Sequence, residues 1–340
     1  MILRLARMAD MDKILEFTSA IDGGMTSLPH DASAWESKLA INEASVHAAV
    51  PQPEGDIYLF LLEQDNKIVG TTAIYTGVGL TKPFYSYKVS THVSKSDFLT
   101  KVVKTKILHL VNDFTGATEL ASLYLLPKFR APNAGRFLSK SRFLMLHQFQ
   151  ERFDNTIFAE LRGWVDSQGR SPFWEALGEK FFKMPFQRAD FVSAVNGSQF
   201  ISDLMPKYPV YMELLPETAQ RVVGECNDNT RPAKRLLEQE GFQWKGYVDI
   251  FDAGPSMQCD IQHINILKKA LKVKVAGTHN KPIDPTAQHY ILSNGRLTDY
   301  RIALSPIEIQ DDQAIIPEQV MRDLDLQLND ELDLLPMQTK

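Results

Sequence analysis

The amino-acid sequence predicts an α+β fold, in which helices flank a mixed β-sheet and a small β-rich tail follows. A strand-like run, Thr118–Leu126, leads through a basic loop into a helical run that ends near Phe149. Upstream of this run, the elements follow in the order strand, helix, helix and hairpin. Downstream of it, a helix that ends in Gly241-Phe242 leads into a strand. An earlier helix with Gly178 has a related pattern, so we expect a duplicated or inserted C-terminal half.

Composition limits the class of protein. The chain has 340 residues, 44% hydrophobic and 23% charged, as in a soluble globular protein of one large or two medium domains. A net charge of -5 argues against broad nucleic-acid binding, which needs a basic face. The first residues resemble no signal peptide, and no apolar run approaches the roughly 20 residues of a membrane span. We therefore expect a cytoplasmic protein without membrane association.

Two cysteines, Cys226 and Cys259, are too few for a disulfide framework or a metal cluster. We interpret both as small apolar core residues and expect no metal.

Capping residues and hydrophobic periodicity define the elements before residue 118. In chain order they are a strand (Ile2–Leu5), a helix from Asp10 to Phe17, a helix capped by Asp31 or Ser33 and ending near Ala49, a hairpin (Ile57–Glu63 and Lys67–Gly77), an aromatic segment (Leu80–Val89) and a helix (Ser94–Leu110). The hairpin turn is Asp65-Asn66. The aromatic segment fits an edge strand or, alternatively, one wall of an acceptor pocket.

The loop before the long helix carries the features of an anion site. Arg130, Asn133 and Gly135 lie in a short loop after Pro127, and the helix that follows has apolar residues at three- and four-residue steps. Such a loop directs backbone N–H groups and the positive end of the helix dipole toward a negative ligand. An ordinary helix N-terminus has the same features, so the loop alone does not decide between these interpretations.

The second half of the chain contains fewer strong signals. The predicted elements are a strand (Thr156–Asp166), a helix from Pro172 capped by Ser171, a helix (Thr230–Phe242), a strand (Trp244–Phe251), a linker (Lys272–Pro285) and two tail strands (His289–Leu292 and Tyr300–Leu304). We therefore divide the chain into residues 1–270, with a possible break near 185–215, and a β-rich module, 271–340. The acidic tail favours packing or assembly over DNA binding.

Residues 118–149 resemble the acyl-CoA-binding core of the GNAT N-acyltransferases, whose loop reads Arg/Gln-x-x-Gly-x-Gly/Ala. Arg130, Asn133 and Gly135 occupy the three marked positions, and Asn133 replaces the first glycine. Asparagine tolerates a positive φ better than most residues, which makes this departure acceptable.

Longer segments resemble one family in that superfamily, the arginine N-succinyltransferases, whose members include paired subunits that also accept ornithine. The matching segments include Gly23–Pro29, Phe84–Tyr87, Asn112–Gly116, Leu138–Phe143, Ala159–Gly163, Ser171–Trp174, Asp203–Tyr211 and Tyr247–Pro255. The resemblance covers residues 1 to about 270, and the tail resembles that of the longer members.

The resemblance implies a reaction in which the α-amine of L-arginine attacks the thioester of succinyl-CoA. It implies cofactor contacts from the backbone of Leu123, Tyr124 and Leu125, and from Arg130, Asn133, Ala134, Gly135 and Arg136. Acceptor binding is assigned to Asp249 and Asp252, and Arg142 or Arg162 would bind the succinyl carboxylate. Glu160 would bind the guanidinium or relay a proton, although an ion pair with Arg162 explains this glutamate equally well. Lys140 and Arg142 could also be solvated helix residues.

One departure from the family pattern concerns catalysis. A histidine that the family uses as a proton donor falls on Asn227, and asparagine does not exchange a proton near neutral pH. General acid–base catalysis is typically worth about 10²–10⁴-fold in rate. The chain is therefore a slow enzyme, an enzyme in which another group transfers the proton, or a CoA-binding subunit that serves a catalytic partner. An acceptor other than arginine is a further alternative. The resemblance implies a homo- or hetero-oligomer.

Overall fold

The computed structural model of the chain describes residues 1–21, 25, 27–52, 54–196, 203–281 and 287–337. Within these residues, strands β1 to β16 form one mixed sheet in the order β14-β15-β11-β16-β12-β13-β1-β2-β3-β6-β7-β10-β9-β4-β5-β8. The strands are β1 (Ile2–Leu5), β2 (Ile57–Gln64), β3 (Lys67–Tyr75), β4 (Ser86–Ser96), β5 (Lys101–Val111), β6 (Thr118–Leu125), β7 (Thr156–Glu160), β8 (Val210–Tyr211), β9 (Gln243–Val248), β10 (Pro255–Asp260), β11 (Leu271–His279), β12 (His289–Ser293), β13 (Arg301–Pro306), β14 (Glu308–Gln310), β15 (Gln313–Pro317) and β16 (Glu331–Met337).

Helices cover both faces of this sheet, which confirms the predicted α+β fold. They are α1 (Met11–Ser19), α2 (Ala32–His47), α3 (Ala134–Gln148), α4 (Pro172–Ala176), α5 (Gly178–Phe182), α6 (Phe186–Asn196), α7 (Glu217–Val222), α8 (Arg231–Gln239) and α9 (Glu318–Asp323). Helices α1 and α2 pack Phe17 and Trp35 on β2 and β3. On the opposite face, α3 buries Phe137 and Leu138 against β2, β3 and the tail strands β12 and β16.

The central strands part where the site forms. Strands β6 and β7 are parallel neighbours, but they pair only at Thr118 with Ile157 and at Glu119 with Phe158. Beyond Glu119, one edge of β6 has no partner on β7, so backbone groups on that side face a gap. The two strands therefore splay apart beyond this point.

Local chemistry explains several predicted elements. Asp31 caps α2 by accepting the N–H of Ala34 at 2.8 Å, and the side chain of Ser171 caps α4 in the same way. The β2–β3 hairpin turns at Asp65 and Asn66, whose φ values of 50° and 61° suit the two-residue turns that these residue types favour.

The structure corrects two predicted elements. The predicted helix Ser94–Leu110 consists instead of the ends of two paired strands, β4 and β5, because its many β-branched residues alternate along a hairpin. Most of the predicted linker Lys272–Pro285 is strand β11, which pairs with β15 and β16; its alternating valines point into the tail core, and its lysines point outward. In both cases, the many polar residues led to a prediction of helix or linker where the chain forms a strand.

The structure changes the bounds of other predicted elements, and some predicted segments fall outside the described residues. Strand β7 ends at Glu160, so the rest of the predicted strand to Asp166 leaves the sheet. In the described residues, the unit at Gly178 continues into helix α6, whereas the unit at Gly241 leads into β9. Of the loop Asp22–Pro29, residues 22–24 and 26 lie outside the described residues. The domain division at residue 270 stays a prediction; β13 of the tail pairs directly with β1.

Candidate functional site

A cavity of about 210 Å³ lies where β6 and β7 part. Its walls combine apolar groups of both strands with charged groups that four separate parts of the chain contribute. The lining residues are Met25, Ser27, Glu119, Leu120, Ala121, Ser122, Leu123, Ser139, Arg142, Ala159, Glu160, Leu161, Arg162, Thr230, Ala233, Leu237, Asp249 and Asp252. Six residues assigned from the sequence therefore meet at one place: Leu123, Arg142, Glu160, Arg162, Asp249 and Asp252.

A β-bulge turns the backbone of β6 toward this cavity. Pairing with β3 shifts between Ala121 and Tyr124, and Ser122 has a φ of 53° at that point. Leu123 follows the bulge and lines the cavity, whereas Tyr124 and Leu125 are paired to β3 and lie outside the lining. A strand edge without a neighbour can hold the amide groups of an extended ligand.

The N-terminus of α3 has the geometry predicted for an anion site. Asn133 has a φ of 68°, so asparagine does adopt the left-handed conformation expected of the first glycine, and its side chain does not cap the helix. A Cβ atom built on Gly135 would meet no atom within 4 Å, so its surface is accessible to a ligand. Arg130 is exposed, and its Nε donates to the carbonyl of Leu125 at 3.2 Å. These residues fit a diphosphate.

Arg142 is a buried cation without a carboxylate partner among the described residues. Only 2% of its surface is exposed, and its guanidinium donates to the carbonyl and hydroxyl of Ser139, at 3.0 and 3.1 Å. Burial lowers the pKa of Arg142 to about 9. Since an uncompensated buried charge is costly, this guanidinium is suited to an anionic ligand in the cavity. The possibility that Arg142 is a solvated helix residue is wrong, and Lys140 is also buried, 2.6 Å from Glu240.

Four carboxyl groups face the same cavity. Burial raises the pKa of Glu119 to about 7, although Lys38 opposes this. Burial, followed by repulsion from Asp249 and then Glu119, raises the pKa of Glu160 well above its ordinary value. Burial and the nearby Asp252 do the same for Asp249. Carboxyl groups that share a low-dielectric site compete for charge, so a cationic ligand would favour their ionised forms.

Backbone contacts hold the acidic groups in place. One oxygen of Asp249 accepts the N–H groups of Phe251 and Asp252, at 2.7 and 2.9 Å. The turn that carries them packs closely on the segment after β7. A Cβ on Gly163 would lie only 2.3 Å from the carbonyl oxygen of Asp252, so this contact requires glycine.

Arg162 already has acidic partners. Its guanidinium forms two hydrogen bonds with Asp190, at 3.0 and 3.1 Å, and its Nε lies 3.7 Å from Asp252. Burial disfavours its charge, but attraction to Asp252 and Asp190 outweighs this and raises the pKa of Arg162. The alternative ion pair between Glu160 and Arg162 is absent among the described residues; Glu160 instead accepts the hydroxyl of Ser256 at 3.2 Å.

Asn227 lies beside the cavity but does not line it. Its side-chain oxygen accepts the N–H of Asn229 at 3.0 Å, and its own N–H donates to the carbonyl of Arg162 at 2.8 Å. The residue that reaches the cavity from this segment is Thr230. The side chain of Asn227 therefore stabilises a turn, and its role in catalysis stays a prediction.

Sequence reasoning missed Glu119, Asp190 and Thr230. Glu119 precedes the first assigned strand residue, Leu123, by only four positions, and a carboxylate inside a mostly apolar strand was an available signal. Asp190 gave no such signal, because helix α6 reaches Arg162 only through tertiary packing. In the described part of the chain, no group of three or more metal-binding side chains occurs, and no helix is both long and apolar enough to span a membrane.

Comparisons with known proteins assign the chain to a family. The sequence model of the arginine N-succinyltransferase beta subunit matches residues 1–266, and that of its C-terminal domain matches residues 271–336. The arginine N-succinyltransferase of Citrobacter koseri is 40% identical over 272 residues, 79% of each chain. That of Escherichia coli is 34% identical over 337 residues, covering 98% of this chain and 97% of the relative.

A solved structure resembles the whole fold. It is subunit AI of the arginine/ornithine succinyltransferase of Pseudomonas aeruginosa, which is 28% identical, covers 99% of both chains and has a TM-score of 0.89. The predicted GNAT-like fold is thereby confirmed. Because family models match nearly the whole chain and a 34% identical relative spans it, the chain belongs to the arginine N-succinyltransferase family.

Proposed function

We propose that this enzyme transfers a succinyl group from succinyl-CoA to the α-amine of L-arginine. The observation that carries this proposal is the charge arrangement of the cavity, where four carboxyl groups and the buried guanidinium of Arg142, which has no carboxylate partner among the described residues, line the same space. A cavity with these groups can bind a substrate carboxylate and a substrate cation side by side. The donor of this reaction is a CoA thioester, and a cytoplasmic location would give the enzyme access to it.

The donor would lie along the open edge of β6. Its diphosphate would contact the first turn of α3, from Asn133 through Ala134 and Gly135 to Arg136, with Arg130 nearby. Its thioester carbonyl would accept a backbone N–H of Leu123 or an adjacent residue, which stabilises the developing oxyanion. Residues 123–125 and the helix are consecutive in the chain, so one continuous segment would bind the whole cofactor.

Arg142 would select the succinyl group. This guanidinium is 2% exposed and has no carboxylate partner in the part of the chain that the structure describes, so it gains a charge-assisted contact when a terminal carboxylate enters. An acetyl group cannot supply that contact. Arg162 is less suited to this task, because Asp190 and Asp252 already compensate its charge.

The acceptor would use the acidic side of the cavity. Asp249, Asp252 and Glu160 offer carboxyl groups to the guanidinium of arginine, and entry of that cation would lower the raised pKa values of Asp249 and Glu160. Ornithine carries a cation on a shorter side chain and is the competing acceptor. Measured rates with arginine and with ornithine distinguish the two acceptors.

Glu119 would remove the proton that the reaction must lose. The ammonium of arginine gives one proton to the Glu119 carboxylate through water; the neutral amine then forms the C–N bond as the C–S bond breaks. A second nitrogen proton passes to the departing sulfur, giving free CoA, and Glu119 returns its proton to solvent. A pKa of about 7 suits this task, since proton transfer is most effective when the pKa of the base is near the working pH. This route does not need a histidine at Asn227.

The direct test measures thiol release from succinyl-CoA with L-arginine, and identifies the product by mass spectrometry. We expect N2-succinyl-L-arginine with succinyl-CoA, little product with acetyl-CoA and none with Nα-acetyl-L-arginine, whose α-amine is blocked. Parallel assays with L-ornithine rank the acceptors. Purified enzyme that releases no CoA above the acceptor-free rate would contradict the proposal, and would favour a subunit that depends on a partner.

A further inference from the structure

We propose that two copies of this chain associate through the β4–β5 arm of one copy and the acidic end of the other. The arm is residues 90–106, the outer part of the β4–β5 hairpin. The acidic end is residues 307–337, which include β14, β15 and β16. The inference rests on shape and charge and is independent of the proposed acyl transfer.

The arm extends away from the rest of the sheet. Strands β4 and β5 pair along their whole length, from Ser86 with Val111 to Ser96 with Lys101. Only their inner ends have other neighbours in the described residues, since β9 pairs at residues 87–88 and β8 at residues 107–108. The outer part therefore extends about 25 Å, with neither edge paired to another strand. At its base, the backbone N–H of Lys106 donates to the carboxylate of Glu213 at 2.9 Å. An isolated two-stranded hairpin is marginally stable in water, and unpaired edges invite contact with another chain.

Apolar side chains cover the end of the arm. Phe98 is 96% exposed at the turn, and four more apolar residues of the arm are over half exposed: Val93, Leu99, Val102 and Val103. Single exposed apolar residues are common, but a group of five at the end of one projection indicates a contact surface.

The arm carries positive charge in a chain whose net charge is negative. It contains Lys95, Lys101, Lys104 and Lys106, and its only acidic residue is Asp97, which pairs with Lys95. The other three lysines have no ion pair among the described residues. A partner for this arm should therefore combine acidic groups with some exposed apolar surface.

The acidic end of the same chain has these properties. Residues 307–337 contain nine acidic residues and one arginine. Four of these acidic residues have basic partners: Lys281 with Glu308, Lys272 with Glu331, Arg322 with Glu318 and Arg296 with Asp325. Asp311 and Asp312, at the exposed β14–β15 turn, have no ion pair in the described part of the chain. Ile315 and Leu328 lie in the same region and are 39% and 57% exposed.

The two surfaces lie far apart along the sheet of one copy. The strand order puts β14 and β15 at one end of the sheet and β4 and β5 near the other. Twelve strand spacings separate β15 from β4, which corresponds to about 55 Å along the sheet. The acidic partner is therefore the end of a second copy, and a two-fold axis lets both arms engage in a closed dimer.

Sedimentation velocity and light scattering on the full chain test this proposal. We expect a dimer whose Kd rises with salt, and a Kd at least tenfold higher for Lys104→Glu/Lys106→Glu and for Phe98→Ser. The matched control is Lys67→Glu/Lys180→Glu, which makes the same charge change at exposed sites outside both surfaces and should leave the Kd unchanged. A wild-type chain that stays monomeric at tens of micromolar, or an arm variant that dimerises normally, would overturn the proposal.

A charge exchange separates the proposed contact from general damage. The variant Asp311→Lys/Asp312→Lys should dimerise poorly alone, as should Lys104→Glu/Lys106→Glu. Mixed together, the two variants should form a heterodimer, because both arm–acidic-end contacts then pair opposite charges, one with the wild-type signs and one with the signs exchanged. Failure of the mixture to associate, with both variants folded by circular dichroism, would show that the two surfaces do not meet.

Discussion

Replacing Arg142 with methionine should stabilise the ligand-free protein while weakening its choice of donor. The side chain is 2% exposed, and burial lowers the pKa of its guanidinium to about 9. A depression from the usual value above 12 corresponds to roughly 4–5 kcal/mol, and burial leaves little solvent to screen it. At pH 7 to 8, below the folded-state pKa, the group remains charged, so this cost is fully present.

Methionine removes the charge and keeps much of the side chain's volume. It also gives up the two hydrogen bonds to Ser139, so we expect a net gain of about 1–3 kcal/mol. For a chain of this size, that gain corresponds to an increase in Tm of about 2–6 °C. Differential scanning calorimetry at pH 7.5 measures it, and Arg142→Lys is the matched control because it keeps a buried cation.

The same variant should lose activity toward one class of donor. A charge-assisted contact with the succinyl carboxylate is worth about 1.5–3 kcal/mol, so kcat/KM for succinyl-CoA should fall about 10- to 150-fold. Acetyl-CoA and butyryl-CoA lack that carboxylate, and their kcat/KM should change less than about threefold. The reasoning is refuted if Arg142→Met lowers all three values equally, or if it loses stability while the preference for succinyl-CoA is unchanged.

Four other residues give separate predictions. The pKa of Glu119 is raised to about 7, so its contribution to folding stability is complete below the unfolded-state pKa near 4.5 and is lost as the pH rises through 7. Glu119→Gln should remove this pH dependence of the unfolding free energy, which amounts to up to about 3 kcal/mol between pH 5 and pH 8 in urea unfolding. An unchanged pH dependence in the variant would contradict this prediction. Glu119→Gln should lower kcat by about 10²-fold or more with CoA binding unchanged, whereas Asn227→His should change kcat less than about threefold; a large gain from the histidine would show that the proton passes there. Gly135→Val should weaken CoA binding, measured by calorimetry, without altering Tm, because no protein atom lies near its Cβ position. The control is Gly277→Val, which makes the same change at another open position. Equal CoA affinity in the two variants would contradict the proposed cofactor site. Lys140→Met should cost about 3–5 kcal/mol, because it leaves Glu240 buried without its cation, and Lys140→Met/Glu240→Met should recover part of this loss in the same unfolding assay.

Much of the fold was predictable from local patterns. The hairpin at Asp65-Asn66, the helix capped by Asp31 and the left-handed Asn133 follow from preferences of residues near one another in the chain. Local patterns failed in the β4–β5 hairpin and in β11. There, polar residues belong to strands because of pairing with distant segments, and sequence periodicity cannot report such pairing.

By itself, the sequence determined which residue types were available for an acyl-transfer site, and much of the segment from Leu123 to Arg136 that would bind the cofactor. Only the tertiary structure decided which charges are compensated. Arg142 and Arg162 look alike in the sequence, but helix α6 brings Asp190 to Arg162, whereas no carboxylate reaches Arg142 within the described residues. The physical reason is that burial and ion pairing depend on which distant segments pack together, and these two quantities set the charge that a side chain can offer to a ligand.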